Sequence, residues 1–168
     1  SRQSDIKATS SSGKGGVVHI TGHRVGLFGT TRVDASGKTG GGEVLIGGDY
    51  QGKNPTIKNA TETYIGSNVG IHADAVLEGD GGKIIVWADD TTRYFGSLSA
   101  RGGSNQGDGG FAEVSGKENL LFRGKANLSA ENGSRGTLLL DPKNIQIKDS
   151  PDCGSSCDVT SASSDNAT

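Results

Sequence analysis

The chain has no methionine, one tryptophan, and aromatic residues at only 5% of its length. A wide globular core needs large side chains to fill it. This composition excludes such a core and leaves a narrow interior in which small side chains stack. No apolar run approaches the roughly 20 residues that span a bilayer, so no membrane insertion is expected. No signal peptide opens at Ser1, and the chain reads as a piece cut from a longer protein. An excess of one charge is missing too: the formal net charge is −2, which gives no electrostatic case for nucleic acid. Metal ligands are sparse. The two cysteines, Cys153 and Cys157, stand in "CGSSC", far in sequence from all three histidines, and zinc needs more ligands than that stretch offers. The pair closes a small disulfide loop in an oxidising compartment, or remains two free thiols on a polar tail. His19, His23 and His72 have no metal-ligand spacing and read as solvated strand positions. No cofactor is called for.

Glycine is abundant: 29 of 168 residues, well over twice the usual share. Much of it comes in pairs that lead apolar segments: "GGVVHITG" (15–22), "GGEVLIGG" (41–48), "GGKIIVWA" (81–88), "GGFAEVSG" (109–116) and, with one glycine, "RGTLLLDP" (135–142). The intervals are about 26, 40, 28 and 26 residues. Periods in the range of roughly 20–50 residues announce stacked repeats. A phosphate-binding loop would want a helix after the glycines and a GK[ST] ending, whereas a strand-like run follows each pair here.

Aligning the repeats decides which side chains face inward. One column reads Val18, Val44, Ile84, Ala112, Leu138, and two residues on another reads Ile20, Ile46, Val86, Val114, Leu140. Both are wholly apolar. The column between them, His19, Leu45, Ile85, Glu113, Leu139, is mixed, so strand alternation puts the first two inside. A second ladder aligns Ile6, Val33, Ile71, Leu98, Ala126 and Ala8, Ala35, Ala73, Ala100, Leu128. Between these lie the polar residues Lys7, Asp34, His72, Ser99 and Asn127. A third strand-like stretch recurs as "VGLFG", "TYIG", "RYFG" and "NLLFRG". Each repeat is three short strands joined by glycine corners. One repeat cannot bury its apolar face alone, but stacked repeats can. The fold class is all-β, a parallel β-helix (β-solenoid) of about five coils, right-handed by the usual chirality of parallel crossovers. At about 4.8 Å per coil it is roughly 24 Å long. Residues 1–147 form the solenoid, residues 48–63 leave it as a loop in the long second interval, and 148–168 form a flexible polar tail.

Some parallel β-helices cleave acidic polysaccharides with clustered carboxylates. The candidates are Asp89, Asp90 and Arg93 in "ADDTTR", with Glu113 or Asp141 one or two coils away; paired acids about 5–9.5 Å apart could serve as acid and base. No neighbouring coil repeats them, and Asp-Asp-Thr-Thr is ordinary turn chemistry, so no catalytic residue is assigned and the chain is read as no enzyme. "GGSNQGDGG" (102–110) has a faint likeness to calcium-binding nonapeptides, but Asp108 stands alone where those act in tandem. Trp87 points outward with Leu45 and Ile85. Either the 48–63 loop folds over them or they meet a partner. Tyr50, Lys53 and Trp87 are the contact residues predicted.

The stretches "VLIGGDYQG", "GGKIIVWADDTTRYFGSLSARGG", "GGFAEVSGK" and "GTLLLDPKNI", in that order over about residues 15–147, resemble the β-helical region of two-partner-secretion exoproteins. That family includes filamentous haemagglutinin and the high-molecular-weight adhesins of Gram-negative bacteria. The resemblance implies an outer-membrane two-partner-secretion transporter as partner, secretion to the bacterial cell surface, and a shaft that serves adhesion. Attachment would be to a glycan or protein of host cells, matrix or other bacteria, as in a biofilm. Coils of this kind also serve as passive spacers in toxin-delivery proteins. The family's leading secretion domain is not evident in these residues. Cys153 and Cys157 resemble the cysteine-closed loop that holds some members on the cell, and a free linker to further coils is the other reading. The N-x-S/T sites at Asn59, Asn127, Asn132 and Asn166 are expected to be unmodified.

Overall fold

A computed structural model describes residues 4–143. The expectations for the tail, Cys153, Cys157 and Asn166 fall outside the described residues. In chain order the strands are β1 (Asp5–Lys7), β2 (Val17–Ile20), β3 (Arg24–Leu27), β4 (Arg32–Asp34), β5 (Glu43–Ile46), β6 (Glu62–Ile65), β7 (Gly70–His72), β8 (Lys83–Ala88), β9 (Thr91–Tyr94), β10 (Ser97–Ser99), β11 (Phe111–Gly116), β12 (Asn119–Phe122), β13 (Lys125–Asn127) and β14 (Thr137–Leu139). They build three parallel sheets, ordered β1-β4-β7-β10-β13, β2-β5-β8-β11-β14 and β3-β6-β9-β12. Every third strand returns to the same sheet, one coil further along.

The register is the one the aligned repeats predict. Val18 pairs with Val44, Val44 with Ile84, Ile84 with Ala112 and Ala112 with Leu138. On the first sheet Ile6, Val33, Ile71, Leu98 and Ala126 stand in one row of pairs. These columns meet with Leu27, Ile65 and Tyr94 of the third sheet in a single apolar cluster. Val33, Ala35, Val44, Ile65, Ile71, Ile84 and Val86 are wholly buried there, and each fully buried Val or Ile contributes about 1.5–3 kcal/mol. Two inward threonines are satisfied across the corner: Thr63 Oγ1 donates to the Trp87 carbonyl at 2.7 Å and Thr92 Oγ1 to that of Ser115 at 2.7 Å. Tyr94 is the odd side chain in the channel. Its ring stacks on Phe122 at 5.3 Å, but its buried hydroxyl has no partner, and burial pushes its pKa up.

Glycine recurs at all three corners, though at the turn from the second sheet to the third one coil has Ala88 where the others have Gly22, Gly48 and Gly116. The turn from the second sheet to the third uses Asp89-Asp90 and Lys117-Glu118, where Glu118 and Asn119 donate their amides to the Asp90 carbonyl. The corner that needs glycine most runs from the first sheet into the second. There the Gly42, Gly82, Gly110 and Gly136 amides each close their own coil on the carbonyl of Ala35, Ala73, Ala100 or Leu128, at 2.7–2.8 Å. A Cβ on any of these four glycines would collide with the carbonyl oxygen of the equivalent glycine in the preceding coil. That oxygen is already bonded across the coils, as in Glu43 N–H to Gly16 O at 3.0 Å.

Three outcomes follow from this packing. Gly42→Ala is expected to lower unfolding free energy by about 3 kcal/mol in a denaturant titration. Gly13→Ala, whose Cβ meets only the Ser10 hydroxyl at 3.4 Å, should cost less than about 1 kcal/mol. Tyr94→Phe removes an unpaired buried hydroxyl and is expected to raise stability by about 1 kcal/mol; a loss of that size instead would show that the hydroxyl has a partner.

Candidate functional site

The second sheet turns an apolar stripe outward. Leu45, Ile85 and Trp87 sit on its outer face and form a cluster separate from the channel, with Ile57 and Phe111 packed against them. The cover is the chain between Ile46 and Glu62. Trp87 is 5% exposed beneath it, so the loop folds over the patch. A contact role for Trp87 requires the loop to lift. Tyr50 is 43% exposed on the loop's outer side, its ring 5.8 Å from Phe111. Lys53 is exposed, with its ammonium donating to Gln51 Oε1 at 2.6 Å.

Polar groups around the rim hold the loop down. Asp49 starts a 3₁₀ turn over Tyr50–Gly52 and accepts from the Tyr50 amide (2.7 Å), Asn54 Nδ2 (2.8 Å) and Lys83 Nζ (2.8 Å). Asp89 Oδ1 accepts from Trp87 Nε1 and from Asn59 Nδ2, both at 3.0 Å. Gly52, at φ +62°, lies flat on the indole; a Cβ there would come within 2.6 Å of the ring. Gln51 has φ +52°, the sole non-glycine among the described residues with positive φ, a conformation that costs an L-residue roughly 1–2 kcal/mol. The strain aims its amide at Glu113 Oε2, 3.1 Å away.

Glu113 and Asp141, grouped as candidate acids from sequence, do meet at this loop. Gln51 bridges them, its Nε2 reaching Asp141 at 3.5 Å. Glu113 is wholly buried, and its other oxygen has no hydrogen-bond partner. Burial pushes its pKa up, assisted by the nearby Asp141 and Asp49 charges and opposed by the Gln51 amide and the Ser115 hydroxyl. Asp89 and Asp90 do not join them: Asp89 holds the indole, and Asp90 accepts from Thr91 Oγ1 at 3.2 Å at the corner. Arg93 points outward from the third sheet, exposed and without an ion pair among the described residues. Asp108 is a corner residue whose Oδ1 caps the Ser134 amide at 2.7 Å. Among the described residues no group of three or more His, Cys, Asp or Glu could hold a metal ion.

A second polar cluster was not singled out from the sequence. On the outer face of the first sheet, His72 Nδ1 lies 2.9 Å from Ser99 Oγ, which donates to Asp74 Oδ2 at 2.9 Å. Asp74 also accepts the Arg101 amide (2.8 Å) and guanidinium (3.1 Å). One coil below, Asp34 accepts from Arg32 Nη2 at 2.8 Å and the Ser36 amide at 3.0 Å. Arg32, Asp34, Ser36, Asp74 and Arg101 line a shallow trough of about 560 Å³. Serine, histidine and aspartate meet here, but not as an acyl-transfer triad, in which the acid orients the imidazole. Here Asp74 binds the serine itself, and Ser99 is buried. Burial pushes the His72 pKa down, with Arg32 adding to the effect. The network staples coil to coil. The polar column Lys7-Asp34-His72-Ser99-Asn127 held its signal, but Asp74 and Arg101 lie one outward position further along.

The clasp over Trp87 has a definite acid limit. Burial pushes Asp49 up, but the hydrogen bonds from Asn54, Lys83 and the Tyr50 amide outweigh it and hold the carboxyl at about 2, below its unfolded value of 3.8. A depressed carboxylate adds stability that is present above pH ~4 and lost as the pH falls toward 2, a contribution that solvent screening reduces. Trp87 is the sole tryptophan, so its emission reports the loop. We expect a red shift between pH ~4 and ~2 that precedes loss of the β-sheet circular dichroism signal. Asp49→Ala should show the shifted emission already at pH 7. Emission that moves only with the global transition would show that Asp49 does not hold the loop.

No protein-family model matches the chain, and no curated protein matches it by sequence. Among solved structures it is similar to the crystal structure of the HMW1 secretion domain from Haemophilus influenzae, with a TM-score of 0.66 and 30% sequence identity. The likeness covers 82% of this chain and 35% of that one, so the chain spans about a third of the length of the structure it matches. No secretion domain is evident in the sequence of these residues, yet the structure they match is one. No helix among the described residues is long and apolar enough to cross a membrane. The three-ladder solenoid and its likeness to that domain support a two-partner-secretion exoprotein β-helix region.

Proposed function

We propose that this segment is a rigid, non-catalytic shaft of a secreted Gram-negative exoprotein, exported by an outer-membrane two-partner-secretion transporter and presented at the bacterial surface for attachment to host cells, matrix or other bacteria. The register carries the reading. Each coil sits directly over the last in three ladders, which gives a stiff rod with loops on its outside. The acids that a polysaccharide-cleaving face would use support it too: Asp89 and Asp90 are taken up in structural hydrogen bonds, and Glu113 lies under the loop. The likeness to a secretion domain favours export. Tyr50 and Lys53, on the outer side of the clasp, are the contacts proposed for a surface partner.

Two measurements test this. Placed behind a secretory signal peptide and co-expressed with a transporter of this class, the chain is expected in the culture medium, and to stay in the periplasm without the transporter. Beads coated with the chain are expected to adhere to cultured cells or matrix and to release no oligosaccharide from polysaccharide substrates. Export that ignores the transporter, or measurable release of oligosaccharide, would overturn the reading.

A further inference from the structure

The outer face of the third sheet bears features that neither the clasp nor the polar trough shares. Pairing sets Gly26 beside Tyr64, Tyr64 beside Arg93 and Arg93 beside Leu121 on that face, with Phe28 and Phe95 just past the ends of β3 and β9. Phe28 lies across Gly26, where a Cβ would strike its ring. The rings shingle along the stack: Phe28 and Tyr64 centroids are 5.0 Å apart at 20°, and Tyr64 and Phe95 are 5.7 Å apart at 49°. Phe28 is 65% exposed, and Leu121 extends the apolar strip at 38%. With Phe28 and Leu121 exposed and Tyr64 and Phe95 half-buried between them, the strip runs over four coils and marks an interaction surface.

The charge on this face has one sign left over. Its acid, Glu62, is engaged by Arg24 at 3.5 Å. Arg93 and Arg123 are exposed, and among the described residues neither has an ion pair. An unpaired guanidinium is a bidentate donor fitted to carboxylate or sulfate. The face is open, and from Phe28 to Arg123 it spans three steps between coils, about 14 Å. A small molecule finds no enclosure there, but an extended chain can lie across it. The rings are already stacked on one another, so a nucleic-acid base has no slot between them. What remains presented is one ring face and a row of edges, suited to the C–H-bearing faces of sugar rings.

We infer that Phe28, Tyr64, Phe95 and Leu121, with Arg93 and Arg123, form a binding face for an acidic polysaccharide. Sugar rings pack on the aromatic strip, and their carboxylates or sulfates bond the two arginines. This deepens the adhesive reading by naming a partner class. Failure of export leaves it standing, and failure of polysaccharide binding leaves the export reading standing.

The test is binding of the 168-residue chain to immobilised polygalacturonate and hyaluronate, with dextran as neutral control and oligo-dT as nucleic-acid control. Binding to the acidic polymers is expected, weakening as salt is raised, with little to dextran or oligo-dT. Phe28→Ala and the double variant Arg93→Ala/Arg123→Ala should each weaken it about tenfold with unchanged melting temperatures, since all three side chains are exposed. The Phe28→Ala loss should persist in high salt, where the arginine loss fades. No binding to either acidic polymer, equal binding by the variants, or tighter binding to oligo-dT would overturn the proposal.

Discussion

The contact on which this molecule depends is a glycine Cα resting on a carbonyl. Where the first sheet turns into the second, the coils approach so closely that no Cβ fits between the residue above and the oxygen below. That oxygen must also accept the amide that ties one coil to the next. Closeness and hydrogen bonding are thus one requirement, met at the same atom by the one residue type without a side chain. Once that corner is set, coil spacing follows, the ladders lie in register, and identical positions of successive coils stack in columns.

Columns turn a repeat into a set of constraints on neighbours. Inside, a column must be apolar throughout, and the alanine column keeps the channel narrow where two sheets converge. Outside, like charges directly opposite destabilise, and the structure alternates them. Lys83 is paired with Glu43 at 3.4 Å and Asp49 at 2.8 Å, and Arg101 with Asp74 at 3.1 Å. The clasp is where this scheme is most strained. Its Asp49 is stabilised as a carboxylate by three donors, while burial pushes the Glu113 pKa up against the Gln51 amide and the Ser115 hydroxyl. Two acids at one loop are therefore shifted in opposite directions, which suits a cover attached to the rod but not part of its stack.

The ladders were legible in sequence because stacking repeats one choice five times. Ile84 alone could face either way, but Val18, Val44, Ile84, Ala112 and Leu138 together could not. The mixed column His19-Leu45-Ile85-Glu113-Leu139 marked the outer side correctly. The 48–63 loop was one of two covers the sequence offered for it, but how that loop is clasped could not be derived, because residues 47–61 occur in one coil and have no periodic partner to align against. Asp89 shows the same limit: in sequence it is half of a carboxylate pair, in space the acceptor for an indole nitrogen. The aromatic strip escaped for a geometric reason. Phe28, Tyr64 and Phe95 do not share one alignment column. They meet diagonally because Gly26 lets the Phe28 ring lie back toward Tyr64, and column-by-column reading is blind to diagonals.

The three faces of the rod are thereby divided in what they can offer. On the first sheet, Asp34, His72, Asp74 and Ser99 spend their hydrogen-bonding capacity on one another and on Arg32 and Arg101. A ligand would have to compete with bonds already made. On the second, the apolar stripe lies beneath its loop, and Trp87 reaches solvent only if that loop opens. The third has no cover over Phe28 and no acid for Arg93 or Arg123 among the described residues. Large apolar area and unpaired charge left together in water oppose solubility and add nothing to coil stacking, which the inward residues of the same strands already provide. A side chain that the fold does not need, and that water disfavours, is best explained by what it meets outside the chain.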